Sequence, residues 1–149
     1  MMRRILIALF LLTVCGLHVD DCKSWQDTGS YSKFELYDER RDASEIRIIL
    51  DNLANQLNMQ PSFRAYLISY AGKKACGNEA TLRLLEAKRY LKENHKIDST
   101  RVTFLDGGFQ PNWAIEIWIG FKQNTPPNKE PRLKKKQIII VKNCTSIRL

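Results

Sequence analysis

Two segments with helical periodicity, separated by segments that alternate like strands, constrain the fold of this chain most. In EIRIILDNLANQLNMQP, residues 45–61, one apolar stripe recurs at helical spacing. The stripe consists of Ile46, Ile49, Leu50, Leu53 and Leu57. Asp42 and Glu45 have the spacing of a capping box, and Pro61 ends the pattern. The pattern predicts a helix that faces the core.

A second stripe predicts another helix, which extends to about Asn94. Its apolar members are Ala80, Leu84, Ala87 and Leu91. The segment KKACG, residues 73–77, precedes it and is predicted to be a loop. Asn78 follows that loop and is the predicted N-cap residue.

Four segments have strand character and complete the predicted domain, residues 32–121. They are residues 33–37, 63–72, 101–105 and 113–121. DGGFQPN, residues 106–112, is rich in turn residues and predicts a long hairpin loop between the last two strands. The order strand–helix–strand–helix–strand–strand predicts an α/β two-layer sandwich. In it, two helices cover one face of a mixed four-stranded sheet.

The N-terminus predicts a signal peptide over residues 1–16, followed by a polar segment over residues 17–31. Arg3 and Arg4 precede a short apolar run, and Gly16 is a suitable small residue near the cleavage point. An uncleaved N-terminal anchor is the alternative. The signal peptide predicts a periplasmic or secreted protein associated with the cell envelope.

Three cysteines remain after such a cleavage: Cys22, Cys76 and Cys144. In an oxidising compartment an odd number permits one intramolecular bridge and leaves one thiol over. The sequence does not choose the pair, and three unpaired cysteines are the alternative.

The positive charge is concentrated in a predicted tail, residues 122–149. The whole chain carries a net charge of +8, whereas the tail contains eight Lys or Arg and a single acid, Glu130. The predicted domain, residues 32–121, is near neutral, which argues against a nucleic-acid-binding protein. The tail is Pro- and Lys-rich, so we expect it to contribute little to stability and its removal beyond Asn124 to leave the Tm nearly unchanged. The alternative is that residues 137–142 form an extra strand of the sheet.

The sequence gives no pattern typical of an enzyme or of a bound cofactor. There are two histidines, no Cys-x-x-Cys motif and no phosphate-binding glycine loop. We therefore predict a non-catalytic protein without a metal or a cofactor.

The segment RLLEAKRYLKENHKIDSTRVTFLDGG, together with the order of elements, resembles the OmpA-like domain family of peptidoglycan-associating envelope proteins. The places of that family's signature are occupied here by Arg83 and Leu84, Ala87, Tyr90 and Leu91, Lys96 and Ile97, and Arg101 and Val102. The resemblance covers roughly residues 32–121. It implies an OmpA-like fold and a ligand-binding role for Arg83, which in that family holds a carboxylate of the diaminopimelate side chain.

Two segments depart from the family. Residues 112–116 of this chain are NWAIE, where the final strand of the family usually opens with an arginine-rich pattern. The family's strand-to-helix loop carries an aspartate that binds the amino group of the ligand, whereas this chain has SYAGKKAC with Lys73 and Lys74. We therefore expect Arg83, Lys73, Lys74 and Asn78 to bind an anionic group, such as a carboxylate, a phosphate or an acidic glycan. Peptidoglycan or another anionic envelope component is the expected partner. The alternative is a scaffold that has lost this binding and uses its basic tail, or the strand over residues 113–121, to contact a protein or an anionic membrane surface.

Overall fold

The computed structural model describes residues 30–142, so the predicted signal peptide and most of the polar segment lie outside the described residues. The chain forms β1 (Ser32–Asp38), α1 (Ala43–Met59), β2 (Phe63–Ala71), β3 (Lys74–Cys76), α2 (Glu79–His95), β4 (Val102–Phe109), β5 (Ala114–Phe121) and β6 (Ile139–Val141). Short 3-10 turns at Ser99–Arg101 and Lys135–Gln137 precede β4 and β6.

The main sheet has the strand order β1-β5-β2-β4. β2 and β4 are parallel neighbours, whereas β5 is antiparallel to both β1 and β2. The chain crosses from β1 to β2 through α1, and from β2 to β4 through α2. The predicted α/β sandwich with a mixed four-stranded sheet and two helices is therefore confirmed.

Both helices pack on one face of the sheet and form the main core there, as their apolar stripes predict. Every residue of the two predicted stripes is buried. They contact the strand residues that point to the same face, among them Ala65, Leu67, Ile115 and Ile117. The predicted capping box is also present, because Asp42 accepts from the backbone N–H of Glu45 and Glu45 accepts from the backbone N–H of Asp42.

The opposite face of the sheet is covered by the chain that follows β5. Tyr70 and Ile68 point to this face, and the backbone N–H of Glu130 donates to the Tyr70 hydroxyl at 3.1 Å. The backbone N–H groups of Arg132 and Leu133 donate to the carbonyl of Phe109 at 3.0 and 3.1 Å. The segment beyond Lys122 thus contacts the sheet directly, which its Pro/Lys-rich composition gave no reason to expect.

The strand considered over residues 137–142 is Ile139–Val141, and it does not join the main sheet. It pairs in parallel with β3, which the sequence predicts as loop. The prediction of a loop over residues 73–77 is therefore wrong, because a partner more than sixty residues away supplies the hydrogen bonds that make Lys74–Cys76 a strand.

β4 is longer than predicted and the hairpin turn is correspondingly shorter. Asp106, Gly107 and Gly108 belong to β4, with Gly107 in an irregular position opposite β2. A Cβ atom on Gly107 would lie 2.5 Å from a ring carbon of Tyr70. The glycine is needed here for close approach to an aromatic ring rather than for a turn.

Cys76 is disulfide-bonded. It is the only cysteine between residues 30 and 142, so its partner lies outside the described residues. The alternative of three unpaired cysteines is wrong, and the bond ties β3 to another part of the chain.

Candidate functional site

Arg83 lies one turn into α2, and its side chain is mostly buried. It is 16% exposed, beside a Glu79 side chain that is 9% exposed. Nε and Nη2 of Arg83 donate to Oε1 of Glu79 at 3.1 and 2.7 Å. The spacing of four residues places the two side chains on one helix face. Arg83 is therefore a paired, mostly buried residue of the helix rather than a solvated one.

The ring of Trp113 packs against the flat face of the same guanidinium. The Cζ atom of Arg83 lies 3.6 Å from the centre of the Trp113 ring, a stacked cation–π contact. Trp113 immediately precedes β5, and its ring meets that of Tyr37 edge-on at 6.3 Å. Gly72 makes room for this arrangement, because a Cβ atom there would lie only 3.3 Å from the backbone nitrogen of Trp113. Glu79 and Trp113 together fix the orientation of the guanidinium.

Part of the ion pair remains free for another partner. The side-on contact uses a single oxygen of Glu79 and the Nε/Nη2 side of Arg83. Within residues 30–142, Nη1 of Arg83 and Oε2 of Glu79 make no hydrogen bond, and neither atom is closed off from solvent. A guanidinium has five N–H donors, so the Nη1/Nη2 edge can still bind a carboxylate through two parallel hydrogen bonds.

Two buried hydroxyl groups lie on the same face of the sheet. Tyr37 and Ser69 are both in register with Ile115, so the three side chains form one row beneath the helices. Neither hydroxyl has a hydrogen-bond partner among the described residues. Burial raises the pKa of Tyr37 well above its ordinary value, although the positive charge of Arg83 acts in the opposite direction. The Tyr37 phenol therefore stays neutral near Arg83.

Lys73, Lys74 and Asn78 lie between β2 and α2, and their side chains are exposed. The backbone N–H of Lys73 donates to the carbonyl of Pro111, which places Lys73 beside the turn that carries Trp113. No hydrogen bond or ion pair between described residues joins either lysine to Arg83 or Glu79. A ligand contact by these residues stays a prediction.

Asn78 occupies the N-cap position of α2, but its side chain makes no capping hydrogen bond. Its backbone has φ −122° and ψ 22°, outside the extended conformation that a capping side chain usually requires. The predicted N-cap position of Asn78 is therefore confirmed, although its side chain does not cap the helix.

A second polar cluster, which the sequence does not reveal, joins the two helices at the other end of α2. Oδ1 of Asp51 accepts from the Tyr90 hydroxyl at 2.8 Å and lies 2.7 Å from Nε2 of His95. Within residues 30–142, no hydroxyl or thiol is hydrogen-bonded to the His95 ring. The cluster therefore links α1 to α2 and lacks the nucleophile of a catalytic triad.

The sequence predicts Arg83 as a site residue, but it does not reveal the neighbouring residues Glu79, Trp113, Tyr37 and Ser69. Glu79 could have been found from its position four residues before Arg83, which is a common spacing for helical ion pairs. Trp113 and Tyr37 lie near Arg83 because of the order of the strands in the sheet. No local sequence pattern predicts that order.

Three further findings bear on function. No group of three His, Cys, Asp or Glu in the described part of the chain could hold a metal ion. No helix among residues 30–142 is long and apolar enough to cross a membrane. No protein-family model, curated protein or solved structure matches the chain.

Proposed function

We propose that this chain is a non-catalytic cell-envelope protein whose divergent OmpA-like domain binds an anionic envelope ligand at Arg83. The signature-like residues of α2 and the order of elements support the resemblance. The observation that carries the proposal is the guanidinium of Arg83, which is stacked on Trp113, paired on one side with Glu79 and without a hydrogen bond at Nη1.

This geometry suits a carboxylate ligand. The guanidinium already has a fixed orientation, so the ligand does not have to order a flexible side chain. Its mostly buried position lowers the local dielectric, which strengthens a charge-assisted hydrogen bond. A bidentate contact on the open edge contributes roughly 1.5–3 kcal/mol.

Glu79 supplies a carboxylate that the loop SYAGKKAC lacks. Its Oε2 atom belongs to the same ion pair and has no hydrogen-bond partner among the described residues. A ligand with a carboxylate next to an ammonium group would match this pair, with the carboxylate on Arg83 and the ammonium on Glu79. The peptide stems of peptidoglycan carry both groups, so peptidoglycan is the ligand we propose.

Co-sedimentation with purified peptidoglycan tests the proposal. Arg83→Gln is expected to reduce binding about ten- to a hundred-fold, since it removes the bidentate contact. Arg83→Lys is expected to reduce binding nearly as much, because an ammonium cannot form the planar fork. Arg89→Gln is the matched control, since Arg89 is an exposed arginine of the same helix paired with Glu86. Equal binding by wild type and Arg83→Gln would show that the site lies elsewhere.

Glu79→Gln separates the two roles of the carboxylate. If Glu79 binds the ligand ammonium, Glu79→Gln weakens binding to peptidoglycan. If Glu79 only competes for Arg83, the same change strengthens binding, and the assignment of the ammonium to Glu79 is wrong. The double variant Glu79→Gln/Arg83→Gln avoids a buried unpaired charge, so its Tm shows whether loss of binding follows from loss of folding.

A further inference from the structure

β6 carries three consecutive exposed apolar residues: Ile139, Ile140 and Val141. Ile139 is 54% exposed and Ile140 is 53% exposed. Neighbouring residues of a strand point to opposite faces, so neither face of β6 is covered by the body of the protein. The other large exposed apolar side chains among residues 30–142 are Ile48, Met59 and Leu85, which lie singly on the helices. β6 is therefore the one place in the described chain where exposed apolar residues are consecutive.

β3 and β6 form a two-stranded sheet, which we call the β3–β6 ribbon. β3 fixes this ribbon to the domain. Ala75 of β3 is buried against Ala71 and Ala80, and Phe109 packs on the same small cluster. The backbone N–H of Ile139 donates to the carbonyl of Lys73 at 2.9 Å. The ribbon thus presents its apolar strand from an anchored position.

Lysines surround the apolar strand. Lys134, Lys135 and Lys136 precede it, Lys142 follows it, and Lys74 is in register with Ile139. All of these lysines are exposed, and residues 131–142 contain no acidic residue. An apolar strand within a cluster of positive charge is complementary to a surface that is apolar inside and anionic outside.

We propose that the β3–β6 ribbon docks on an anionic lipid surface, with Ile139 and Ile140 entering the interface and the lysines contacting phosphate headgroups. A partner strand is a poorer occupant, because β6 has only three residues and can offer a partner few backbone hydrogen bonds. A lipid interface accepts apolar side chains from both faces of the strand, which a single partner sheet does not. This proposal does not depend on the Arg83 site.

Vesicle co-sedimentation tests it, using the full chain and two vesicle types. One type is pure phosphatidylcholine, and the other is equimolar phosphatidylcholine and phosphatidylglycerol. We expect binding only to the anionic vesicles and weaker binding at high salt. Lys135→Gln/Lys136→Gln is expected to reduce binding roughly twenty-five-fold, about fivefold for each lysine. Ile139→Ser/Ile140→Ser is expected to reduce it about tenfold.

The matched control is Ile48→Ser/Leu85→Ser, which removes two equally exposed apolar side chains outside the ribbon and should bind like wild type. Failure of the wild type to bind anionic vesicles overturns the proposal. So does unchanged binding by Ile139→Ser/Ile140→Ser, since the apolar strand would then play no part. A dimer in sedimentation equilibrium that is lost in Ile139→Ser/Ile140→Ser, without vesicle binding, would identify a second copy as the occupant and also overturn the proposal.

Discussion

The two faces of the main sheet are covered in different ways. The helix-covered face is filled by aliphatic side chains from α1, α2 and the strands, which form one continuous core. The opposite face carries larger polar and aromatic groups, including Tyr70, Glu116 and Trp118, and is covered by an irregular segment after β5. On the first face, two regular helices pack on the sheet through their apolar stripes. On the second face, a few separate contacts attach the segment after β5 to the sheet.

Glu116 shows how the second face tolerates a buried carboxylate. Lys33 donates to its Oε1 at 2.8 Å, and the Tyr70 hydroxyl and the Trp118 indole lie 3.4 Å from its Oε2. A buried charge is costly unless it is paired and hydrogen-bonded, and this one has both kinds of partner. Packing on this face therefore depends on a polar network around Glu116 as well as on the burial of apolar side chains.

The largest effect is expected on the helix-covered face. Leu53→Ala removes a fully buried side chain of α1 and leaves a cavity between the helices and the sheet. We expect the free energy of unfolding to fall by about 3 kcal/mol, within the range of 2–5 kcal/mol for such changes. Urea denaturation measures it, with the exposed Leu85→Ala as the control. A loss no larger than the control's would mean that this core is loosely packed.

Removal of the segment beyond Asn124 is expected to have the next largest effect. It abolishes the backbone hydrogen bonds to Tyr70 and Phe109 and uncovers the face that they cover. We expect a loss of about 2 kcal/mol, which corresponds to a fall in Tm of roughly 10 °C. Both proteins should carry Cys76→Ser, so that loss of the disulfide is common to them. An unchanged Tm would instead support the prediction from composition, in which this segment is a linker that contributes little to stability.

The contrast between the faces also explains what the sequence could predict. The stripes of α1 and α2 and the capping box at Asp42 depend on residues a few positions apart, so local spacing revealed them. The pairing of β3 with β6, and of Glu130 with Tyr70, joins residues about sixty positions apart without any periodic signal. At the site, Arg83 was found through its motif, whereas Trp113 comes to it only through the strand order.

Tyr70→Phe tests a single hydroxyl group of the second face, which contacts both Glu130 and Glu116. The hydroxyl accepts from the backbone N–H of Glu130 at 3.1 Å, and its removal leaves that donor without this partner. We expect a loss of about 1 kcal/mol in urea denaturation. Tyr66→Phe is the control, because the Tyr66 hydroxyl makes no hydrogen bond with a described residue. Equal effects of the two changes would show that the contact with Glu130 does not stabilise the covering segment.

The smallest effect is expected at the start of α1, where the helix-covered face begins, and it depends on pH. Hydrogen bonds from the Ser44 hydroxyl and the backbone N–H of Glu45 hold the pKa of the Asp42 carboxyl below its ordinary value of 3.8. Because the folded pKa is the lower one, the carboxylate stabilises the fold at pH values above the unfolded pKa. This stabilisation is lost as the pH falls through the folded pKa. Asp42→Asn keeps a capping oxygen but removes the titrating group, and all other carboxyl groups titrate in both proteins. The difference in urea midpoint between wild type and Asp42→Asn should therefore be present at neutral pH and shrink below about pH 4. A difference that stays constant across this range would show that the cap acts through its geometry alone, without a contribution from its charge.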